Sequence, residues 1–349
     1  MTNYAIVPLF IGVFGASVCS GILGGGDGPE TTKTADDLLK TGDLPAAHAE
    51  YQKIANENPD SVFAAQGLAY SLLLKGDYDG AGKALADAEA KATAAGAPPE
   101  EIGEIKVRRA IVALRAGKLN EVKTYGKASE MPVGMLLAAE AHLADAESDL
   151  ALQLLKSAAN DPGEVGETAK NYLAMLESDD PMSQALAEAT ALWAAGQGKV
   201  AVESAEEPVK NLPEDRADKS ELLLLWAGRA VTHGRPDLAQ GMLDAIVVPP
   251  PDQGWRVEAT KALIAIADGR DEEGIAAFQA LADAGAPGDG LQDALATAAG
   301  LTKNTETAGK LAGQLKSVAA ARGLLEAGSS DGAREAVPPG DFAKYLENQ

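Results

Sequence analysis

The side chains that could do chemistry are few in this sequence and lie far apart. The histidines are His48, His142 and His233, and the single cysteine is Cys19. A metal site needs several ligands that converge on one point, and nucleophilic catalysis needs a Ser or Cys beside a base. Neither pattern surrounds these residues. We interpret each histidine as a surface residue or as one satisfied within a helix, and we predict no metal site.

Two acidic pairs, Asp179–Asp180 and Glu206–Glu207, have no basic or histidine partner nearby in the sequence. General acid–base catalysis needs such a partner in reach, so we interpret both pairs as helix-terminal charges and solvated faces. The glycine-rich residues 21–28 do not open a helix after a strand, and residues 144–151 lack the calcium-loop pattern. The sequence predicts a non-enzyme with no catalytic residue and no cofactor.

The composition of the chain argues against further classes of function and fold. The chain has 349 residues, 52 acidic and 30 basic, and a net charge of −22. Such a balance opposes binding to nucleic acid and adsorption to an anionic lipid surface, and it favours either plain solubility or a basic partner. The length indicates two domains or an elongated architecture. Aromatic residues make up only 4%, which argues against a large sheet.

The N-terminal segment differs from the rest. Residues 1–26 carry no charged side chain, and residues 4–23 are all apolar, small or uncharged. As a hydrophobic helix this run would be about 30 Å long, enough to cross a bilayer core. Residues 27–34 are expected to form a flexible linker.

Several interpretations of residues 1–26 stay open. The segment could be a retained single-pass anchor, a cleaved secretory signal, or a lipoprotein signal acylated at Cys19. A cleaved signal normally has a basic start, which is missing, and Val18 departs from the small residue expected before an acylated cysteine. A buried N-terminal helix in a cytosolic protein is a fourth interpretation. The distribution of charge around residues 1–26 favours a location in the inner membrane, with the remaining chain in the periplasm. A lipid-anchored form and a secreted form are the alternatives.

An internal repeat organises the remaining chain. Residues 42–59 place Gly42, Ala47, Tyr51, Ile54 and Pro59 at characteristic offsets, and a matching frame starts 34 positions later at Gly76. Weaker copies follow Gly117, Gly196, Gly234, Gly269 and Lys303, and a copy without the glycine contains Ala151, Leu155 and Ala158. Before the turns, apolar residues recur at i, i+3, i+4 and i+7, which predicts amphipathic helices.

Each position in the frame has a physical role. Glycine ends the first helix in a left-handed conformation, and a following polar residue such as Asp77 caps the second helix. The small residue five positions later lets the helices cross closely, the large residue nine positions later fills the space between them, and proline stops the second helix. The polar residues 211–220 and the proline-containing residues 247–255 are predicted to be loops between hairpins, the latter with a possible role as a hinge.

This pattern resembles the tetratricopeptide repeat family, most clearly at residues 42–59 and 62–88. The resemblance implies an all-α, right-handed α-solenoid over residues 35–337, of about eight hairpins, followed by a C-terminal cap or tail at 338–349. It also implies that the first helix of each hairpin lines an inner groove. The predicted groove residues are Phe63, Gln66, Tyr70, Leu73 and Leu74. Because no Lys accompanies Gln66 and Tyr70, recognition of a C-terminal carboxylate is not expected. Packing against the next hairpin is the alternative.

A basic island interrupts the acidic chain at residues 104–127. Its members include Lys106, Arg108, Arg109 and Arg115. It is interpreted either as a docking patch for an acidic partner or as a helix face balanced by neighbouring acidic hairpins.

Two hypotheses for the function follow. The first is a membrane-tethered scaffold that binds other proteins in an exported compartment, with residues 4–23 in the lipid bilayer. The second is a structural accessory subunit built permanently into a larger membrane complex.

Overall fold

The computed structural model of the chain describes residues 33–40, 44–214, 216, 218–249, 253–302 and 304. These residues form sixteen α-helices and no β-strand. The helices are α1 (Lys33–Lys40), α2 (Leu44–Glu57), α3 (Val62–Leu74), α4 (Tyr78–Ala94), α5 (Pro99–Arg115), α6 (Leu119–Ala128), α7 (Pro132–Ala144), α8 (Ser148–Ala158), α9 (Glu164–Leu176), α10 (Pro181–Ala194), α11 (Gly198–Lys210), α12 (Lys219–Thr232), α13 (Pro236–Asp244), α14 (Gly254–Ala267), α15 (Asp271–Asp283) and α16 (Gly288–Leu301). The prediction of an all-α helical repeat is confirmed.

The helices fall into two compact units. The first contains α1 to α10, and within it each of the helices α1 to α9 packs on the next one in the chain. Helix α10 also packs on α7, three helices back, which departs from a simple order of neighbours. The second unit contains α11 to α16, with α12 packed on α11 and α13, and α14 packed on α15 and α16.

The glycines predicted to end helices adopt the left-handed conformation. Gly76, Gly117, Gly196, Gly234 and Gly269 have φ between 70° and 80°. At the first of these turns the amide of Asp77 donates to the carbonyl of Leu72 at 2.9 Å, which satisfies a carbonyl at the helix end. The side chain of Asp77 then accepts from the amide of Gly80 at 2.9 Å and caps α4. The sequence prediction for this turn is confirmed.

The small and large residues of the repeat lie where their spacing predicts. The residues five and nine positions after each turn are buried between the helices of their hairpins: Ala81 and Leu85, Ala151 and Leu155, Ala239 and Leu243, and Gly274 and Phe278. In the first hairpin of the frame, Ala47 and Tyr51 are buried likewise. These residues therefore form the core of the hairpins.

One hairpin turn uses alanine in place of glycine. Ala146, between α7 and α8, has φ of 59°. A Cβ in the left-handed region costs about 1 kcal/mol. We expect Ala146→Gly to raise the free energy of unfolding of the first unit by about 1 kcal/mol, and hydrogen exchange over α7 and α8 should slow accordingly.

The matched control for Ala146→Gly is the reverse change at Gly117. A Cβ at Gly117 would meet no atom within 4 Å, and its φ is 70°, so Gly117→Ala tests the backbone alone. It should lower the free energy of unfolding by about 1 kcal/mol. If the two changes moved stability in the same direction, backbone strain at Ala146 would be the wrong explanation.

Several other predictions agree with the structure only in part. Helix α1 begins at Lys33, inside the segment predicted to be a linker. Residues 211–214, 216 and 218 lie between α11 and α12, and residues 247–249 and 253 lie between α13 and α14. The last two residues of each predicted loop, 219–220 and 254–255, already belong to α12 and α14, so both loops end earlier than predicted. In the part of the chain described here, no helix is long and apolar enough to span a bilayer.

Some predictions concern residues outside the described ranges. These are the anchor or signal at 1–26 with Cys19, the turn at Gly42, the repeat that starts at Lys303 and the C-terminal residues 338–349.

Candidate functional site

The predicted groove residues all lie on α3. Ser61 caps this helix by accepting from the amide of Ala64 at 3.1 Å. Phe63, in the first turn, is 55% exposed, whereas Gln66 and Tyr70 are each only 8% exposed. Leu73 and Leu74 near the end of the helix are half-buried. The face of α3 thus presents one large exposed aromatic ring at its N-terminal end.

Gln66 joins two hairpins of the first unit. Its side-chain oxygen accepts a hydrogen bond from Nη1 of Arg108 on α5. Arg108 is itself 8% exposed, and its Nη2 lies 3.5 Å from Oε2 of Glu104. Because a buried guanidinium needs hydrogen-bond acceptors, this contact fixes α3 against α5. Gln66 therefore packs against the next hairpin. Arg108 is buried and does not lie on the surface of the chain.

Arg109 is engaged by side chains from two other helices. Its Nη1 is 2.5 Å from Oε2 of Glu89 on α4, and its Nη2 donates to the hydroxyl of Tyr125 on α6 at 2.7 Å. The guanidinium also stacks on the Tyr125 ring, 3.9 Å from its centroid. Arg109 therefore holds α4, α5 and α6 together.

Other cations of the basic island also have partners within the chain. Nζ of Lys106 donates to the carbonyl of Ala128 at 3.2 Å, and Nζ of Lys118 is 2.7 Å from Asp79. The hydrogen bond between Lys118 and Asp79 raises the pKa of the lysine and lowers the pKa of the carboxyl. Arg115 is exposed.

Lys123 anchors a polar cluster at the turn between α7 and α8. Its Nζ lies 2.5 Å from Asp145 and 2.6 Å from Glu147, and Nδ1 of His142 is also 2.6 Å from Glu147. Burial acts to lower the pKa of Lys123, but the hydrogen bonds to both carboxylates outweigh it and raise that pKa. This cluster satisfies His142, as the sequence predicted.

A shallow surface depression of about 430 Å³ lies between α4, α5 and α6. Tyr78, Lys83, Arg109, Lys118 and Tyr125 line it together with the carboxylates of Asp79 and Glu121. Since Asp79 and Glu89 bind two of its cations, the depression has little uncompensated positive charge. The docking role of the basic island stays a prediction, and Arg115 is its exposed member on α5.

The remaining chemistry-capable residues have structural partners. Nδ1 of His48 lies 3.0 Å from the hydroxyl of Ser71, and burial lowers the pKa of His48. His233 ends α12, where Nδ1 lies 3.3 Å from the carbonyl of Arg229. Asp180 caps α10 by accepting from the amide of Met182 at 3.0 Å. The interpretation of Asp180 as a helix-terminal charge is confirmed. The described residues contain no cluster of His, Cys, Asp or Glu that could hold a metal ion.

Sequence reasoning missed the buried carboxyl of Glu140 on α7. Glu140 is 2% exposed, and burial raises its pKa well above the ordinary value. No pattern in the sequence marks it: Glu140 stands six positions before Ala146, as Tyr70 stands six positions before Gly76. Under the predicted frame both positions face the groove, which makes a buried glutamate there unexpected.

These observations define the class of protein, an all-α protein built from repeated helical hairpins. The sequence matches no family model and no curated protein. A solved structure similar to the chain is a tetratricopeptide repeat protein from Parabacteroides merdae, at 12% identity and a TM-score of 0.37, over 76% of this chain and 96% of that one. Another is the TPR domain of P58(IPK), at 14% identity and a TM-score of 0.24, over 90% of this chain and 96% of that one.

Proposed function

We propose that the chain is a scaffold that binds other proteins through the α3 face of its first unit. The proposal includes a membrane tether formed by residues 4–23, with the helical repeats in an exported compartment, most simply the periplasm. The exposed ring of Phe63 carries the binding part of this proposal. The uncharged run of residues 4–23 supports the membrane part.

The partner expected at α3 is an apolar helix or an extended segment of another protein. Phe63 is a large aromatic side chain that is more than half exposed on a helix whose next turns carry Tyr70 and the half-buried Leu73 and Leu74. Aromatic side chains of this kind anchor interfaces because they bury much apolar area at little entropic cost. The side chain of Gln66 on the same helix already accepts a hydrogen bond from Arg108. Apolar contact at Phe63 is therefore the main interaction with which this face can bind a partner.

Phe63→Glu should weaken partner binding strongly and leave the fold intact. A charge at the centre of an apolar contact costs about 2 kcal/mol or more, which is a loss of about 30-fold or more in affinity. The measurement is photo-crosslinking from residue 62, next to Phe63, in the membrane-extracted chain, followed by mass spectrometry and titration of the identified partner.

Leu150→Glu is the matched control for this variant. Leu150 is 46% exposed on α8 of the same unit, so the two changes add the same charge at similarly exposed apolar residues. Retention of the partner by both variants would refute the proposed face. Constant stoichiometric recovery with a larger complex, insensitive to Phe63→Glu, would favour the accessory-subunit hypothesis.

The membrane part of the proposal has its own measurement. Intact mass of the mature protein distinguishes a retained segment, a cleaved one and one acylated at Cys19. A mature chain that keeps residues 1–26 but stays in the soluble fraction after lysis would contradict the tether.

A further inference from the structure

Glu140 lies in the core of the first unit, although it is a carboxylic acid. On α7 it lies one turn from Leu136 and Leu143, which belong to an apolar cluster drawn from α7, α8, α9 and α10 that also includes Tyr172 and Ala187. Its Oε1 atom has no hydrogen-bond partner of ordinary geometry among the described residues. A buried ionised carboxylate with no cation beside it is strongly disfavoured, so burial in the folded state favours the protonated form of this group.

Among the described residues, no ion pair joins Glu140 to a cation, and no charged group shifts its pKa. Helix α7 packs against α5, α6, α8, α9 and α10. Several cations of those helices bind other groups: Arg108 binds Gln66, Arg109 binds Glu89, Lys123 binds Asp145 and Glu147, Lys156 binds Glu177, and Lys170 binds Glu167. Helix α10 contains no Lys or Arg, and its own carboxylate, Glu188, is half-buried. His142 on α7 is engaged by Glu147.

Burial and Tyr172 are the two influences on the pKa of Glu140. Burial raises this pKa, and the hydroxyl of Tyr172 on α9 acts in the opposite direction with a smaller effect. Because the pKa is higher in the folded than in the unfolded chain, the folded state binds the proton more tightly. Stability is therefore complete below the ordinary carboxyl pKa and is lost as the pH rises from that value through the raised one.

The helices α9 and α10, which pack against α7, depart from the repeat. Helix α9 packs on both helices of hairpin α7–α8, and α10 packs on α9 and back onto α7. The turn residues Ala146 and Gly196 are 50 positions apart, against the 34 of the best pair of repeats. An added helix and a folded-back helix thus pack on α7, and Tyr172 of α9 reaches Glu140, which stands at the position of Tyr70 in α3.

We propose that the packing of α9 and α10 against α7 is a proton-sensitive contact, closed while Glu140 is protonated and loosened when its carboxyl loses the proton. Opening hydrates the carboxylate and exposes the face of α7 that α10 covers. The proton goes to solvent, and no other group of the chain has to accept it. This device is independent of whether the α3 face binds a partner.

The test is hydrogen exchange of the full chain from about pH 5 to about pH 8, comparing wild type with Glu140→Gln at each pH. The amide side chain keeps the shape and cannot ionise. Protection of α7, α9 and α10 in the variant relative to wild type should rise with pH, by up to about tenfold per pH unit between the ordinary and the raised pKa. Protection of α14 and α15 should be the same in both proteins.

Two further variants keep the result interpretable. Glu167→Gln removes an exposed carboxylate from α9 and should leave the ratio near one at every pH. If Glu140→Gln impaired folding, Glu140→Met would replace it, since it also lacks a titratable group. A ratio that does not change with pH, or one that changes equally in α14 and α15, would overturn the proposal.

Discussion

Gly67→Ala is expected to destabilise the first unit by about 2–3 kcal/mol, although alanine is the better helix former. Gly67 lies in α3, where an added Cβ would be 2.2 Å from Cε1 and 2.5 Å from Cδ1 of Tyr51. Tyr51 is 1% exposed, and its hydroxyl donates to Asp36 on α1, so the ring cannot move aside without breaking that bond. Hydrogen exchange over α2 and α3 should report the loss.

Gly82→Ala provides the matched control for Gly67→Ala. Gly82 is also a helix-interior glycine of the same unit, but its added Cβ would come no closer than 4.0 Å to Val112. Without a clash, the change should stabilise α4 by about 0.5–1 kcal/mol. In a double variant, Tyr51→Leu should remove part of the cost of Gly67→Ala, because the ring that clashes is gone. Strict additivity of the two changes would show that the ring is not the cause.

The repeat of turns and core residues was predictable because its rules are local. A glycine that ends a helix, a small residue at the crossing and a large one in the interface act within about one hairpin, and their spacing is visible in the sequence. The hairpin that contains Ala146 and Leu155 is an example. Its spacing was sufficient to predict it although its turn lacks glycine, and Ala146 adopts the left-handed conformation in that turn.

The environment of the charged residues was not predictable in the same way. Arg108 and Gln66 are 42 positions apart, and their contact depends on how α3 and α5 pack, which no local pattern encodes. The sequence left open whether the basic island is balanced by acidic hairpins, because its carboxylate partners, such as Glu89 and Asp79, belong to another helix. Charge balance in a helical repeat is set between hairpins and not along the chain.

Glu140 was hidden from sequence reasoning for a related reason. A glutamate on an amphipathic helix is ordinarily on the solvated face. Tyr172 of α9 reaches it, and α9 and α10 both pack on α7 although other helices separate them from it in the chain. The interval of 50 positions between Ala146 and Gly196 marks the break, but it does not say which face is covered.

The second large effect is expected for Leu155→Ala, which should destabilise the first unit by about 3 kcal/mol. Leu155 stands nine positions after Ala146, is 0% exposed and lies in the apolar cluster that joins α7, α8, α9 and α10. Truncation leaves a cavity that these helices can fill only by shifting against each other. Hydrogen exchange should increase in all four helices, because they share the cluster.

Leu150→Ala on the same helix is the control, because it makes the same truncation without leaving a cavity in the core. Leu150 is 46% exposed, so the same truncation should change stability by no more than about 0.5 kcal/mol. Equal effects of the two changes would mean that position nine is not the core position of the hairpin. A large effect at Leu155 and a small one at Leu150, together with a large effect of Leu85→Ala in hairpin α3–α4, would support the frame. The ninth position after a left-handed turn would then be a core position of the hairpin, whether the turn residue is glycine or alanine.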